Sequence, residues 1–288
     1  MARRRATAAL QQPRCVLRRH EAMKRRLEGK VALVLGAGCV VDDWGNGNAA
    51  AVAFAREGAR VVCVDMNEAA AARTAGLIHA EGGEAIHAAA DVADAAQVNA
   101  VVEEAMRRYG RIDVLHNNAG INTRGGVVET AEEDFDRVFD VNVKGAYLSC
   151  KAVIPVMKAQ GGGSIIHVSS IASITWTGHP IVSYQASKAA LNHLTRMIAV
   201  QHGPDNIRCN SILPGLIDSP RVHVTMLSFY DGDVERMREA RSRCVPMKRM
   251  GDVWDVANAA VFLACDESKY ITGAALPIDG GVTCTMAH

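Results

Sequence analysis

The sequence lacks the long apolar runs and the paired cysteines that mark two large classes of protein. None of its uncharged apolar stretches approaches the roughly 18 residues of a membrane-spanning helix, so we expect no membrane span. The eight cysteines lie at least 19 residues apart, with no CxxC pair and no histidine at ligand spacing. This spacing argues against a zinc site or a disulfide framework and favours buried thiols in a reducing cytoplasm. We therefore expect no metal and a cytoplasmic protein.

The chain also has little net charge, +1 over 288 residues, but that balance has two unequal parts. Residues 1–30 hold ten lysines and arginines against two acids, so they carry +8 and the remaining 258 residues carry −7. An acidic body does not favour nucleic-acid binding, which needs a concentrated basic face. A chain of 288 residues, 49% of them apolar, can bury a full core, which excludes disorder as a description of the whole chain.

Residues 1–26 form a basic segment that we expect to be an extension of the folded domain. They hold no serine and no apolar block of the length that a secretion signal uses. Three interpretations stay open: a disordered tail or a stretch upstream of a start at Met23, a targeting segment, and an electrostatic contact arm.

From Lys30 onward, short β-branched apolar runs alternate with longer Ala-rich amphipathic stretches. Strands are predicted at Val31–Leu35, Arg60–Val64, Glu84–Ala89, Ile112–His116, Ser164–Val168, Ile207–Ile212 and Ala275–Ile278. Helices are predicted at Asn46–Glu57, Asn67–Glu81, Ala93–Tyr109, Ala131–Gln160, Tyr184–His202 and Asp252–Ala264. This alternation predicts an α/β fold, a doubly wound Rossmann-type parallel sheet of about seven strands with helices on both faces. Residues 27–288 are expected to form one domain.

The ends of the fourth predicted helix carry local signals of their own. Thr130 and Glu133 have the spacing of a capping box, in which each side chain pairs with a backbone amide. Gly161-Gly162-Gly163 is expected to end the helix, because glycine adopts positive φ without strain.

A glycine-rich loop follows the first predicted strand. Gly36-Ala37-Gly38 ends the strand, and Gly45-Asn46-Gly47 begins the next helix. Such a turn lets backbone amides and a helix N-terminus approach a pyrophosphate closely. Asp65 ends the second strand, 18 residues past Gly47, where a carboxylate can accept hydrogen bonds from the adenosine ribose and repel a 2′-phosphate. The pattern favours NAD over NADP.

Six residues, Cys39 to Trp44, separate the two glycine pairs and make the loop long. Two aspartates beside a diphosphate would repel it, so Asp42 and Asp43 are expected to face solvent or to cap the following turn. Trp44 is expected to pack against the edge of the sheet.

A tyrosine and a lysine lie four residues apart in the fifth predicted helix. Tyr184 and Lys188 therefore share a helix face, and a fixed positive charge can lower the pKa of a phenol toward that of a general base. The spacing alone also fits an ordinary surface pair. Ser170 adds weight, because it ends the preceding strand at the sheet edge where open α/β folds bind ligands. The side chain of Ser169 should point to the opposite strand face.

On these motifs the chain resembles the short-chain dehydrogenase/reductase superfamily, over residues 31–281. The matches are the Gly36 to Gly47 loop, Asp91-Val92, Asn117 to Gly120, Asn142, Ser170, Tyr184 with Lys188, Asn210 to Gly215, Tyr270 to Gly273 and Asp279 to Gly281. Two departures are the elongated glycine loop and Ser219, which stands where the family often has threonine.

The resemblance implies a role for each matching residue. Tyr184 would be the acid/base, Ser170 would orient the substrate oxygen, and Lys188 would lower the phenol pKa and bind the nicotinamide ribose. Asn142 would hold a water that connects Lys188 to solvent. The resemblance also implies further cofactor contacts. Asp91 and Val92 would contact the adenine, and Asn118 would contact its ribose. Ile217 and Ser219 would contact the carboxamide end.

The expected reaction is hydride transfer between NAD and a secondary alcohol or ketone. The substrate is expected to be cyclic or aromatic, and whether it carries an acidic group stays open. Candidate substrate residues are Arg124, which could meet a carboxylate, and Trp176 with His179, which could equally be a packing and a surface residue. The segment 219–250 is expected to form a lid containing an amphipathic helix around Met237, with most of its arginines solvated.

Two other functions stay open. One is a 3-oxoacyl-thioester reductase, which would favour NADPH. The other is a non-catalytic NAD(H)-binding sensor, although an activated phenol has no use in one. The resemblance also implies a homotetramer or dimer built by the fourth and fifth helices, and the apolar stripes Val153–Met157 and Leu191–Ile198 fit either that interface or the sheet.

Overall fold

A computed structural model describes residues 25–39, 41 and 43–285. The basic segment expected at 1–26 lies outside the described residues except for its last two. Arg26 pairs with Glu57 at 2.6 Å and Leu27 is fully buried, so the folded domain already includes Arg26.

Seven strands form one parallel sheet, which confirms the predicted fold class. They are β1 (Val31–Leu35), β2 (Arg60–Asp65), β3 (Ala85–Ala89), β4 (Val114–Asn117), β5 (Gly163–Val168), β6 (Ile207–Pro214) and β7 (Ala275–Ile278). The order across the sheet is β3-β2-β1-β4-β5-β6-β7. The order reverses between β1 and β4, which is where open α/β sheets bind their ligands.

Nine α-helices are described. They are α1 (Asn46–Arg56), α2 (Glu68–Ala80), α3 (Ala95–Tyr109), α4 (Glu132–Phe139), α5 (Gly145–Ala159), α6 (Val182–His202), α7 (Pro220–Met226), α8 (Val234–Cys244) and α9 (Val253–Ala264). Helices α1, α2 and α9 pack on one face of the sheet, and α3, α5 and α6 pack on the other. Each face is covered by an apolar core, so the sheet is buried on both sides.

The fourth predicted helix differs from the prediction at its start and in its middle. The capping box is wrong: Ala131 is the N-cap, without a side-chain hydrogen bond, and the Thr130 hydroxyl instead donates to the Gly126 carbonyl at 2.8 Å. A π-helical turn, Asp140–Lys144, joins α4 to α5. The glycine stop was predicted correctly, since Gly161 and Gly162 have φ of 92° and 139°.

Two apolar stripes that fitted either an interface or the sheet face the sheet. Val153 and Met157 of α5 are fully buried, and Leu191 and Ile198 of α6 are 2% and 6% exposed. These four side chains belong to the core of this chain, whereas Ile154, Val156 and Leu194 of the same stripes are only partly buried.

Candidate active site

One cavity of about 290 Å³ opens at the carboxyl edge of the sheet. It is lined by the loops that follow β1, β4, β5 and β6, and by the lid, residues 219–250, which carries α7 and α8. The lid therefore holds two helices rather than one. Met237 of α8 is fully buried, as expected for the apolar face of a lid helix.

The glycine loop leaves no room for side chains at three of its positions. A Cβ on Gly47 would lie 1.8 Å from the Gly36 carbonyl oxygen, and one on Gly36 would lie 2.6 Å from the Ala119 nitrogen. Gly36 also has φ of +78°, a conformation that favours glycine. The Asn118 amide donates to the Gly36 carbonyl at 2.7 Å and so joins the loop after β4 to the loop after β1. Gly38 is the third position, because a Cβ there would lie 2.8 Å from the Asp65 carboxylate.

The longer part of the loop packs against α9, where the Trp44 and Trp254 rings lie 4.9 Å apart. Trp44 is half-buried against the apolar core that the sheet shares with α1 and α9. Asp43 accepts the Trp44 amide at 2.7 Å, which is the capping role expected of it. Asp42 lies outside the described residues.

The residues present fit a dinucleotide. Gly38, Gly45, Asn46 and Gly47 line the cavity at the N-terminus of α1, whose first turn holds no acidic residue. The Asn46 side-chain oxygen is buried without a hydrogen-bond partner, so a donor on a ligand would satisfy it. Backbone amides at a helix N-terminus favour a pyrophosphate.

Asp65 lies beside this cradle at the end of β2. Its Oδ2 accepts the Gly38 amide and its Oδ1 accepts the Asn67 amide, each at 3.0 Å. Each carboxylate oxygen can accept a second hydrogen bond, so the group can still bind ribose hydroxyls.

The other residues expected at the cofactor are divided between the cavity and its surroundings. Asn118, Ile217 and Ser219 line the cavity. Asp91 and Val92 do not. Val92 is 7% exposed and packs on Gly145, where an added Cβ would lie 2.8 Å away, and Asp91 accepts the Ala93 amide at 2.9 Å.

Ser170 and Tyr184 both line the cavity, Ser170 from the end of β5 and Tyr184 from the first turn of α6. The Ser170 hydroxyl accepts the Ala172 amide at 3.1 Å, which leaves its own proton free for a substrate oxygen. Ser169, the alternative, donates to the Lys188 carbonyl at 3.1 Å and is 2% exposed. Of the two serines, Ser170 is the one with a hydroxyl proton available to a ligand.

Lys188 is buried and Tyr184 is half-buried, and the loss of water around both groups changes their electrostatics. The Lys188 ammonium lies 5.6 Å from the Tyr184 ring centre and donates to the Val168 carbonyl at 2.8 Å. Burial, with a smaller effect of Arg221, lowers the pKa of Lys188 to about 7. Burial also raises the pKa of Tyr184, against the opposing effects of Arg221 and Ser170. The predicted lowering of the phenol pKa by Lys188 is therefore not found here, because burial disfavours the charged form of both groups.

Asn142 lies behind the cavity, in the π-helical turn. Its side chain accepts the Ile121 amide at 2.8 Å and donates to the Ile121 carbonyl and the Ser187 hydroxyl, both at 2.9 Å. A Cβ on Gly120 would lie 3.2 Å from both the Asn142 Oδ1 and the Lys188 Nζ, so the two groups flank the same glycine. A second cavity of about 10 Å³ beside Asn142 has the volume that one water needs.

Two of the three substrate candidates, His179 and Arg124, line the cavity. Trp176 does not, and its side chain is 64% exposed, so it is removed from the site. The loop after β5 turns its indole to solvent, whereas His179, three residues later, stacks on Phe229 with ring centres 4.7 Å apart.

Two charged residues of the lid line the cavity and were not identified from the sequence as site residues, Arg221 and Arg241. Arg221 of α7 lies near enough to lower the pKa of both Tyr184 and Lys188, and Arg241 of α8 lines the cavity wall. The general expectation of solvated lid arginines is wrong for Arg241, because burial lowers its pKa. The i, i+4 spacing of Met237 and Arg241 was the available signal, since it places Arg241 on the buried face of α8.

Within the described ranges, no group of three or more histidines, cysteines or acids could hold a metal ion. No helix in that part of the chain is long and apolar enough to cross a membrane.

A family model described as Enoyl-(Acyl carrier protein) reductase (adh_short_C2) matches residues 40–283. Among curated relatives, 2-(R)-hydroxypropyl-CoM dehydrogenase of Xanthobacter autotrophicus is 38% identical over 88% of this chain and 98% of its own length. The 2,5-dichloro-2,5-cyclohexadiene-1,4-diol dehydrogenase of Sphingobium indicum is 39% identical over 90% of this chain and 98% of its own.

Among solved structures, a Burkholderia xenovorans protein described as a short-chain dehydrogenase/reductase matches with a TM-score of 0.87. It is 43% identical, over 91% of this chain and 99% of that one. Both the sequence matches and this structural match extend over nearly the whole folded domain. The chain belongs to the short-chain dehydrogenase/reductase family of oxidoreductases, whose members typically bind a nicotinamide cofactor.

Proposed function

We propose that the protein transfers a hydride between NAD and a secondary alcohol or ketone, with Tyr184 as the acid/base. The observation that carries this proposal is the single cavity in which Ser170, Tyr184 and Lys188 face the glycine cradle before α1. A cyclic substrate is favoured because one relative is named for a cyclohexadiene-diol.

In the oxidative direction, the Ser170 hydroxyl donates to the substrate oxygen and holds it beside the phenol. The phenolate form of Tyr184 accepts the proton of the substrate hydroxyl as the C–O bond gains double-bond character. A bound nicotinamide ring would supply the hydride acceptor. Burial opposes the phenolate, so the positive charge of Arg221 and the Ser170 hydroxyl, which both lower the pKa of Tyr184, favour catalysis.

Two further residues have roles at the back of the site. Lys188 would bind the nicotinamide ribose with the protons of its ammonium that Val168 does not accept. Asn142 would hold a water in the small cavity beside it and so connect Lys188 to solvent.

Replacing Tyr184 with phenylalanine tests the acid/base role. We expect Tyr184→Phe to abolish turnover of a panel of cyclic secondary alcohols and ketones, followed at 340 nm in both directions, while NADH affinity changes little. Tyr270→Phe, on a fully exposed tyrosine that follows α9, is the control and should retain activity. Turnover retained in Tyr184→Phe would exclude the phenol as the acid/base.

The cofactor is proposed to be NAD because Asp65 lies at the end of β2, where its charge would repel a 2′-phosphate. The measurement is the ratio of kcat/KM with NAD to that with NADP. A ratio below one would overturn the preference without affecting the assignment of Tyr184.

A second candidate is reduction of a 3-oxoacyl thioester, which is favoured by a relative from Thermotoga maritima that is named 3-oxoacyl-[acyl-carrier-protein] reductase and is 39% identical to this chain. Adding a 3-oxoacyl thioester to the panel separates the two, since a thioester reductase should prefer it together with NADPH. A non-catalytic sensor would turn over no substrate while still binding NADH.

We also infer a cytoplasmic homo-oligomer, a tetramer or a dimer that pairs α5 and α6 with those of a second copy. Apolar side chains left exposed on these helices support it: Tyr147, Met197 and Val200 are 49%, 40% and 73% exposed. Light scattering coupled to size-exclusion chromatography gives the mass, and a monomer would refute the inference.

A further inference from the structure

Arg241 differs from Arg236 and Arg238 of its helix in having no acidic partner among the described residues, and it differs from the exposed Arg243 in lining the cavity. Arg236 pairs with Asp231 at 2.8 Å, and Arg238 pairs with Asp218 and Glu235 at 2.8 and 2.7 Å. The Arg241 Nε is buried without a hydrogen-bond partner. A guanidinium removed from water is costly unless an anion or an acceptor pairs with it.

The cavity wall that Arg241 joins carries positive charge only. Its charged lining residues are Arg124, Lys188, Arg221 and Arg241, and no aspartate or glutamate of the described ranges is among them. Asp218 is the carboxylate whose charge acts on Arg241, but no hydrogen bond or ion pair joins the two, and its oxygens accept instead from His223 and Arg238, at 2.7 and 2.8 Å. An anion from outside the chain is what this wall can still bind.

The site lies at the lid end of the cavity. The Arg124 guanidinium stacks over the Phe229 ring at 4.6 Å, and Phe229 stacks on His179. Burial lowers the pKa of His179, and the charges of Arg241 and Arg124 lower it further, so the three groups are neighbours. Arg124 also donates to the Thr225 carbonyl, which leaves Arg241 as the arginine most in need of a partner.

We infer that the substrate carries an anionic oxyacid group, a carboxylate, sulfonate or phosphate, that binds the Arg241 guanidinium. Such a group accepts from Nε and a terminal nitrogen together, a geometry that arginine provides and lysine does not. The cofactor phosphates are the other source of an anion, but their cradle is the glycine loop before α1. The inference rests on the proposed function and specifies the substrate class for it.

Matched acids and esters test the inference. Wild type and Arg241→Met are compared on 3-oxocyclohexanecarboxylate and its methyl ester, with NADH, by kcat/KM. We expect wild type to prefer the acid and Arg241→Met to lose about 10- to 150-fold on the acid, the effect of one charged hydrogen-bonded contact, with little change on the ester. Arg243→Met, at an exposed arginine of the same helix, should behave as wild type.

A binding measurement gives a result independent of turnover. The melting temperature of the NADH complex should rise with the acid and not with the ester in wild type, and with neither in Arg241→Met. NADH affinity and the melting temperature without ligand show whether the variant is folded.

Equal effects of acid and ester on wild type, or a response to the acid that persists in Arg241→Met, would overturn the inference. So would a response to the acid seen only without NADH, because Arg241 would then serve the cofactor phosphates. The proposed function fails separately: wild type would be stabilised by the acid yet reduce no ketone of the panel.

Discussion

Lys188 is a buried cation whose replacement should change how stability depends on pH. In the folded protein its pKa is about 7, against an ordinary value of 10.5, and its side chain is 3% exposed. Between these two values the unfolded chain binds a proton that the folded chain lacks. Stability from this group therefore rises with pH across that window, and its unfavourable contribution is complete below pH 7.

The magnitude follows from the shift. Each unit of pKa difference corresponds to about 1.4 kcal/mol, so between pH 7 and pH 9 the free energy of unfolding of the cofactor-free protein should rise by about 2 kcal/mol through Lys188 alone. Lys188→Met removes this contribution. The variant also loses the hydrogen bond to the Val168 carbonyl, but that loss is the same at both pH values.

The assay is urea unfolding of cofactor-free wild type and Lys188→Met at pH 7 and pH 9. The buried thiols of Cys63 and Cys150, whose pKa burial raises to about 12, titrate alike in both proteins and cancel in the comparison. Lys151→Met, on an exposed lysine of α5, should retain the wild-type slope. Parallel pH dependence of wild type and Lys188→Met would refute the reasoning, because it would mean that Lys188 stays charged in the folded protein.

Two further predictions concern the cofactor cradle, and a third concerns α2. Gly47→Ala places a Cβ 1.8 Å from the Gly36 carbonyl and should weaken NADH binding by about 100-fold. Gly76→Ala adds a Cβ in α2 that has nothing within 4 Å of it, so this variant should stabilise the fold by up to about 1 kcal/mol. Fluorescence titration and thermal melting check both, and unchanged NADH affinity in Gly47→Ala would contradict the geometry. Asp65→Asn should lower the NAD to NADP ratio of kcat/KM at least about tenfold by removing a negative charge near the 2′ position, and an unchanged ratio would contradict that role.

The sheet was predictable because of how its strands are buried. β1 is buried at every position, so its apolar residues form one continuous run, and the structure has it at the predicted residues. Strand ends were less predictable: β4 begins at Val114 and not at Ile112. Where strands end, polar residues such as Asp65 and Asn117 appear, and in a parallel sheet those ends share one edge. That shared edge is why a sequence can indicate a site as well as a fold.

The middle of the long predicted helix was not predictable from its composition. In the π-helical turn at Asp140–Lys144, each backbone amide donates to the carbonyl five residues earlier, whereas in an α-helix it donates to the one four residues earlier. No residue type is specific for this difference. Its consequence is functional, because Asn142 lies within it and turns its amide toward Ile121.

The surroundings of the lid arginines were also not predictable from the sequence, because they depend on tertiary structure. Arg236, Arg238 and Arg241 follow one another at helical spacings, yet two pair with acids and one faces the cavity. Helical periodicity gives relative directions only. Which direction meets the cavity depends on how α8 docks on the domain, and that is set by contacts distant in sequence.

The rule that a lysine four residues away lowers the pKa of a tyrosine assumes that the lysine is charged. Burial brings the pKa of Lys188 to about 7, so near neutral pH the lysine is present in both its charged and its neutral form. Arg221, an exposed residue on α7, lowers the pKa of Tyr184 and of Lys188 alike. It therefore favours the phenolate while disfavouring the ammonium. Because Arg221 lies on α7 and lines the cavity, the placement of this helix affects the pKa of the proposed base as well as the shape of the cavity.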